Sequence, residues 1–141
     1  MANVMDKPAL EAFLARDFTE VGDVLSVEVV TEDAVTLRLT PDARHVRPGG
    51  TLSGPTMFLL ADVALYFAIL AKIGPVALAV TTNAHIDFMR KPAADLPLLG
   101  EARLLKLGKT LAVGQVAIRN PGADAVLAQA SLTYAIPPKR A

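Results

Sequence analysis

The stretch SGPTMFLLADVALYFAILAKIG, residues 53–74, constrains this chain more than any other segment. Ser53 or Gly54 can cap a helix, Pro55 suits its first turn, and Gly74 with Pro75 supplies a stop, so a helix of about five turns is predicted. Between Pro55 and Ala71 only Thr56 and Asp62 are polar, which makes the helix apolar on every face. Such a helix cannot rest on a surface with one side in water; a sheet must wrap it. Its most apolar part, Met57 to Ala71, is shorter than the roughly 20 residues that a membrane-spanning helix needs and holds an acid, so it is expected inside a globular fold, away from any membrane.

The remainder of the chain supplies that sheet. Asp6 and Pro8 can start a short helix with Leu10, Phe13, Leu14 and Phe18 on one face. Leu25, Val27 and Val29 then alternate with polar residues, and Val35, Leu37 and Leu39 do the same beyond Glu32-Asp33, giving a hairpin of two half-buried strands. Arg44 to Gly50 reads as a loop. After the helix, strands are expected over Leu78 to Phe88, Gly100 to Leu107, Thr110 to Arg119 and Val126 to Tyr134, separated by turn signals at Lys91-Pro92, Gly108-Lys109 and Asn120-Pro121-Gly122. The fold class is α+β: one curved antiparallel sheet of about six strands around one long helix, with a short N-terminal helix. With 141 residues, the expectation is a single domain over residues 1–141.

Composition removes several chemistries. Fourteen Lys plus Arg balance 14 Asp plus Glu, so no field exists to hold a nucleic acid. The absence of cysteine excludes disulfides, thiol catalysis and thiolate metal sites, and with only two histidines, His45 and His85, no zinc or iron site is expected; nor does the function read from this sequence imply a cofactor. The N-terminus carries Asp6 and Glu11 and no uninterrupted apolar run, so a cytoplasmic location is expected. Zero net charge with 52% apolar residues favours self-association.

Asp62 is the first candidate for chemistry, because an ionised carboxylate inside an apolar helix is costly unless a site uses it, a cation such as Arg90 or Arg103 pairs with it, or it reaches solvent at a gap in the packing. The loop-to-helix junction Ser53-Gly54-Pro55 presents backbone N–H groups at the positive end of the helix dipole, either as an oxyanion site or as an ordinary cap. Asp62 lies eight residues beyond Gly54, roughly 12 Å along the helix, so the two cannot act on one carbonyl within a chain. If both act on the same atom, the acid of one subunit must face the helix start of another. On the predicted strand after the helix, Val80, Ala84, Ile86 and Phe88 form an apolar file, and Thr81, Asn83, His85 and Asp87 a polar one that is either solvated or, at Thr81 and Asn83, in touch with a substrate. The basic residues Arg90, Lys91, Lys106 and Lys109 sit at strand ends or turns, solvated or placed to meet the phosphates of a carrier.

These residues resemble the hotdog-fold acyl-CoA thioesterases, in the branch related to the phenylacetate-degradation thioesterases, over roughly Arg38 to Ile136. The resemblance rests on GGTLSGPTMFLLAD, VTTNAHIDFMRKP, GKTLAV and AQASLTYAIP. It implies a homodimer or homotetramer (a dimer of dimers) that hydrolyses an acyl-CoA, with Asp62 as base or nucleophile and the Gly54 N–H as oxyanion donor across the dimer. Thr81 falls where the family places a hydroxyl that orients the attacking water, and Gly108 and Lys109 fall on its coenzyme A channel. The family's His before the glycine is Ser53 here, and the Asn six residues before that His is Arg47. The acyl group is expected along the helix near Met57, Phe58, Tyr66 and Phe67. Loss of the His and Asn leaves an alternative, a non-catalytic acyl-CoA binding or regulatory protein.

Overall fold

The computed structural model describes residues 2–75 and 79–138. Helix α1 (Lys7–Asp17) starts where expected: the Asp6 side chain accepts a hydrogen bond from the Ala9 N–H at 3.0 Å, and Leu10, Phe13 and Leu14 are buried against the rest of the fold. Strands β1 (Leu25–Val30) and β2 (Val35–Leu39) form the predicted hairpin. A bulge between Val27 and Val29 breaks the expected alternation and turns Val29 outward, 48% exposed.

The segment expected as a plain loop is more ordered than that. A single turn at Ala43–His45 leads into a small hairpin of β3 (Val46–Arg47) and β4 (Thr51–Leu52), reversed by Gly49 and Gly50 at φ 102° and 80°, a region that side-chain-bearing residues rarely enter. His45 Nδ1 accepts the Asp42 N–H at 3.0 Å, so this histidine closes a turn.

Helix α2 (Gly54–Ile73) has Ser53 as its N-cap, the serine oxygen accepting from the Thr56 N–H at 3.2 Å, and Gly74 at φ 90° as its stop. At 20 residues it is long and apolar enough to cross a membrane, so the length argument drawn from Met57 to Ala71 does not hold. The protein's own sheet occupies its faces instead, leaving Leu60, Leu65, Phe67, Ile69 and Leu70 fully buried, each worth about 1.5–3 kcal/mol of transfer free energy.

That sheet combines β1 and β2 with β5 (Val80–Phe88), β6 (Leu98–Leu107), β7 (Leu111–Arg119) and β8 (Ala128–Ala135), all antiparallel in the order β1-β2-β6-β7-β8-β5. The boundaries differ slightly from expectation: β6 begins at Leu98 rather than Gly100, β7 at Leu111 rather than Thr110, and β8 at Ala128 rather than Val126. Of the predicted strand Leu78 to Phe88, Leu78 lies outside the described residues. The helix can sit this close because Gly100 and Gly114 lie beneath it: a Cβ at Gly100 would come 2.9 Å from Leu60 Cγ, and one at Gly114 would overlap Leu65.

Strand β5 departs most from its sequence pattern. The predicted apolar file is not a core face, since Val80 is 55% and Phe88 52% exposed and Ala84 is exposed as well. The bulge between Thr81 and Asn83 shifts the alternation, so Thr81 reaches α2 on one side of it while Ile86 packs against the core on the other, on a strand paired only with β8.

Candidate active site

Asp62 is half-buried on α2, and its surroundings explain how an acid sits there. Oδ1 accepts two hydroxyl hydrogen bonds, from Thr81 Oγ1 at 2.6 Å and from Tyr134 at 2.7 Å. The Tyr134 hydroxyl also lies 2.8 Å from the Asp62 carbonyl oxygen. Oδ2 has no partner among the described residues. Neither expected cation reaches the acid: Arg103 pairs with Glu101 at 3.3 Å, and Arg90 makes no ion pair among the described residues. The carboxylate is therefore oriented by neutral donors on one oxygen and open on the other.

The strand register makes this arrangement. Leu107, Ala112, Tyr134 and Thr81 lie in one row across β6, β7, β8 and β5, so the bulge in β5 follows directly after the residue that reaches Asp62. Tyr134 belongs to the inward file Ala128, Ala130, Leu132, Tyr134, and it is the one member with a polar tip. Its hydroxyl was not among the residues singled out from sequence, although a tyrosine ending an inward apolar file is a signal for a polar group below it. Burial and then the adjacent Asp62 charge push the Tyr134 phenol upward, so it stays a donor.

Around the open side of Asp62 lies a cavity of about 330 Å³ lined by Phe13, Asp17, Phe18, Asp62, Tyr66, Ala79, Val80, Thr81 and Tyr134. Five of the chain's seven aromatic residues cluster here: Phe13, Phe18, Tyr66, Phe67 and Tyr134, with the Tyr66 and Tyr134 rings stacked at 5.8 Å and 7°. Of the four side chains expected to line an acyl pocket, Tyr66 does so beside Asp62. Met57 lines a different cleft, Phe67 is wholly buried, and Phe58 lines neither. The missing walls come from α1, through Phe13 and Phe18.

Gly54 faces a second cleft, of about 470 Å³, with Arg47, Thr51, Leu52, Pro55, Met57, Phe88, Met89, Arg90, Lys91 and Pro92. In the first turn of α2 the Thr56 N–H is taken by Ser53 Oγ and the Met57 N–H by the Ser53 carbonyl, and Pro55 has none. The Gly54 N–H alone has no acceptor among the described residues. Ser53 is committed to capping, with its hydroxyl also 2.7 Å from that of Thr56. The Phe88 ring lies over Gly54, where a Cβ would come 3.3 Å from it.

Asp62, Thr81 and Tyr66 thus share one cavity, and Gly54, Arg47 and Met57 share another. The two share no lining residue, in line with the separation expected along the helix. Asn83 is exposed on β5, and Gly108 and Lys109 form the β6–β7 turn at the sheet end nearest Thr81; none of these three enters either cavity within the chain. His85 is exposed and pairs with Asp87 at 3.1 Å, away from both.

Comparisons with known proteins agree with this architecture. Residues 49–134 match the family model of the thioesterase superfamily. The chain is similar to a thioesterase candidate from Silicibacter, with 50% identity over 98% of this chain and 96% of the other, at a TM-score of 0.90. It is also similar to zebrafish thioesterase superfamily member 2, with 26% identity, 93% and 95% coverage and a TM-score of 0.78. The phenylacetic acid degradation protein PaaI of Thermus thermophilus shares the fold at 23% identity, with 81% and 94% coverage and a TM-score of 0.70. No protein of curated function matches the chain.

Proposed function

The chain belongs to the thioesterase superfamily, whose reaction is thioester hydrolysis, and from that premise we propose that it hydrolyses an acyl-CoA in the cytoplasm as a homodimer or a dimer of dimers. The observation that carries this reading is the Asp62 carboxylate on the wall of a cavity of about 330 Å³, with Oδ1 held by Thr81 and Tyr134 and Oδ2 without a partner among the described residues. Acting as base, Oδ2 takes a proton from water while the hydroxide adds to the thioester carbonyl. Collapse then expels the thiolate, which recovers the proton. Acting as nucleophile, the same oxygen displaces the thiolate and water opens the resulting anhydride. In either route the carbonyl oxygen gains charge, and the unpartnered Gly54 N–H at the positive end of α2 is the donor suited to it.

Because Gly54 and Asp62 open into separate cavities, this chemistry requires two subunits. The exposed β5 edge supports such an assembly: Thr81 stands at its start beside Asp62, and Phe88 at its end over Gly54. Antiparallel pairing of two β5 strands brings the start of one to the end of the other.

Free-thiol release from a panel of acyl-CoAs by the wild type and by Asp62→Asn tests the reaction. Turnover by the wild type with a loss of about 10²–10⁴-fold in the variant is expected. Equal turnover by both would overturn the assignment, and binding without turnover by the wild type would support a binding protein instead. Sedimentation tests the assembly; a monomer at micromolar concentration removes the shared site.

A further inference from the structure

The two cavities carry opposite charge. Among the described residues, Asp17 and Asp62 line the one, with no Lys, Arg or His, whereas Arg47, Arg90 and Lys91 line the other, with no Asp or Glu. None of those three cations has an ion-pair partner among the described residues.

Asp17 is the acid that the reaction leaves unused. It is the last residue of α1, where the negative end of the helix dipole disfavours a carboxylate, so helix energetics do not explain it. Its ion pair with Arg16, at 3.0 Å, joins side chains 70% and 40% exposed and is well screened, and Arg16 is absent from the cavity wall. The Asp17 charge does reach the interior: the Tyr66 hydroxyl is pushed up to about 12, mainly by burial and further by Asp17.

We propose that Asp17 gates the acyl pocket by charge, so that compact uncharged acyl groups enter among Phe13, Phe18 and Tyr66 while acyl groups ending in a carboxylate are disfavoured. The inference rests on the thioesterase reading and names the substrate class of that same site. A terminal carboxylate in this cavity loses water beside Asp62 and Asp17 and meets no cation among the described residues of the wall. The basic cleft beside Gly54 suits the anionic carrier, so the charge of the paired half-sites also sets which end of the substrate goes where.

The test compares hexanoyl-CoA with adipoyl-CoA, equal in chain length and differing by the terminal carboxylate, in the wild type, Asp17→Asn and Asp17→Lys. The readout is the ratio of kcat/KM between the two thioesters, with circular dichroism as the check on folding. The wild type is expected to favour hexanoyl-CoA. Asp17→Asn reduces the ratio by about fivefold, the weight of one charge pair near contact in water, and Asp17→Lys reduces it further. A ratio unchanged in both variants, or a wild-type preference for adipoyl-CoA, overturns the gate. If the wild type cleaves neither these thioesters nor any acyl-CoA of the panel, the hydrolytic reading fails on its own. The gate is then judged by the ratio of dissociation constants for the matching non-hydrolysable thioethers, with the same expected and overturning outcomes.

Discussion

The Tyr134 hydroxyl lies 2.7 Å from Asp62 Oδ1 and 2.8 Å from the carbonyl oxygen of the same residue, so one proton ties the carboxylate to its own backbone. An acid on an exposed helix face samples several rotamers; this one is held in a single orientation by a residue from the far end of the chain. Tyr134→Phe keeps the ring stacked on Tyr66 and removes that tether. The expected result is a fall of about tenfold in kcat with KM little changed, and a stability loss of about 1 kcal/mol in denaturant unfolding.

Gly54→Pro deletes the N–H, and Gly54→Ala, which keeps the N–H while placing a Cβ 3.3 Å from the Phe88 ring, is its control. Proline is well accepted at the first helical position, and Ser53 before it is already extended at φ −77° and ψ 155°. A kcat lower by about 10²–10³-fold than that of Gly54→Ala is the outcome expected for loss of an oxyanion donor. Unchanged kcat would remove Gly54 from the mechanism.

Gly114→Ala addresses the seat of α2 on the sheet. A Cβ there meets Leu65 and comes 2.7 Å from the Arg103 carbonyl oxygen, a backbone atom that cannot swing away. Overpacking of this kind costs roughly 1–3 kcal/mol, so a reduced midpoint in chemical denaturation is expected, with the slope unchanged.

The chain has two tyrosines and no tryptophan, so its phenolate absorbance reads Tyr66 and Tyr134 alone. Both are raised above the ordinary tyrosine value of 10.0, Tyr66 to about 12 by burial and the Asp17 charge, Tyr134 by burial and the Asp62 charge. Raised phenols stabilise the fold fully below pH 10, and that contribution is lost as pH rises from 10 through the folded-state value. An alkaline titration should therefore show little phenolate near pH 10 and a late rise around or above pH 12 that coincides with unfolding. Ordinary titration of either tyrosine near pH 10 in the folded protein would contradict its buried placement.

The parts legible in the sequence are those fixed by neighbours along the chain. The caps and stop of α2 and the start of α1 at Asp6 follow from local chemistry, and the structure agrees, whereas in β2 Thr36 is buried along with Val35, Leu37 and Leu39. Asp62 was also legible, because its cost in an apolar helix can be read without knowing the fold. The facing of β5 was not: its apolar residues look like one core file, yet a bulge after Thr81 shifts the alternation, and Val80 and Phe88 are exposed. The second donor to Asp62 and the aromatic walls from Phe13 and Phe18 depend on how distant segments dock, which local periodicity does not carry.

The proposed division of the chemistry between two cavities has a genetic consequence. A subunit carrying Asp62→Asn and a subunit carrying Gly54→Pro would each be defective in a different half, so pure assemblies of either are expected to be impaired. Co-assembled, they make one seam with both lesions and one seam with neither. Two silent alleles would then complement each other in a mixed population, and activity recovered from their mixture would count the hybrid dimers.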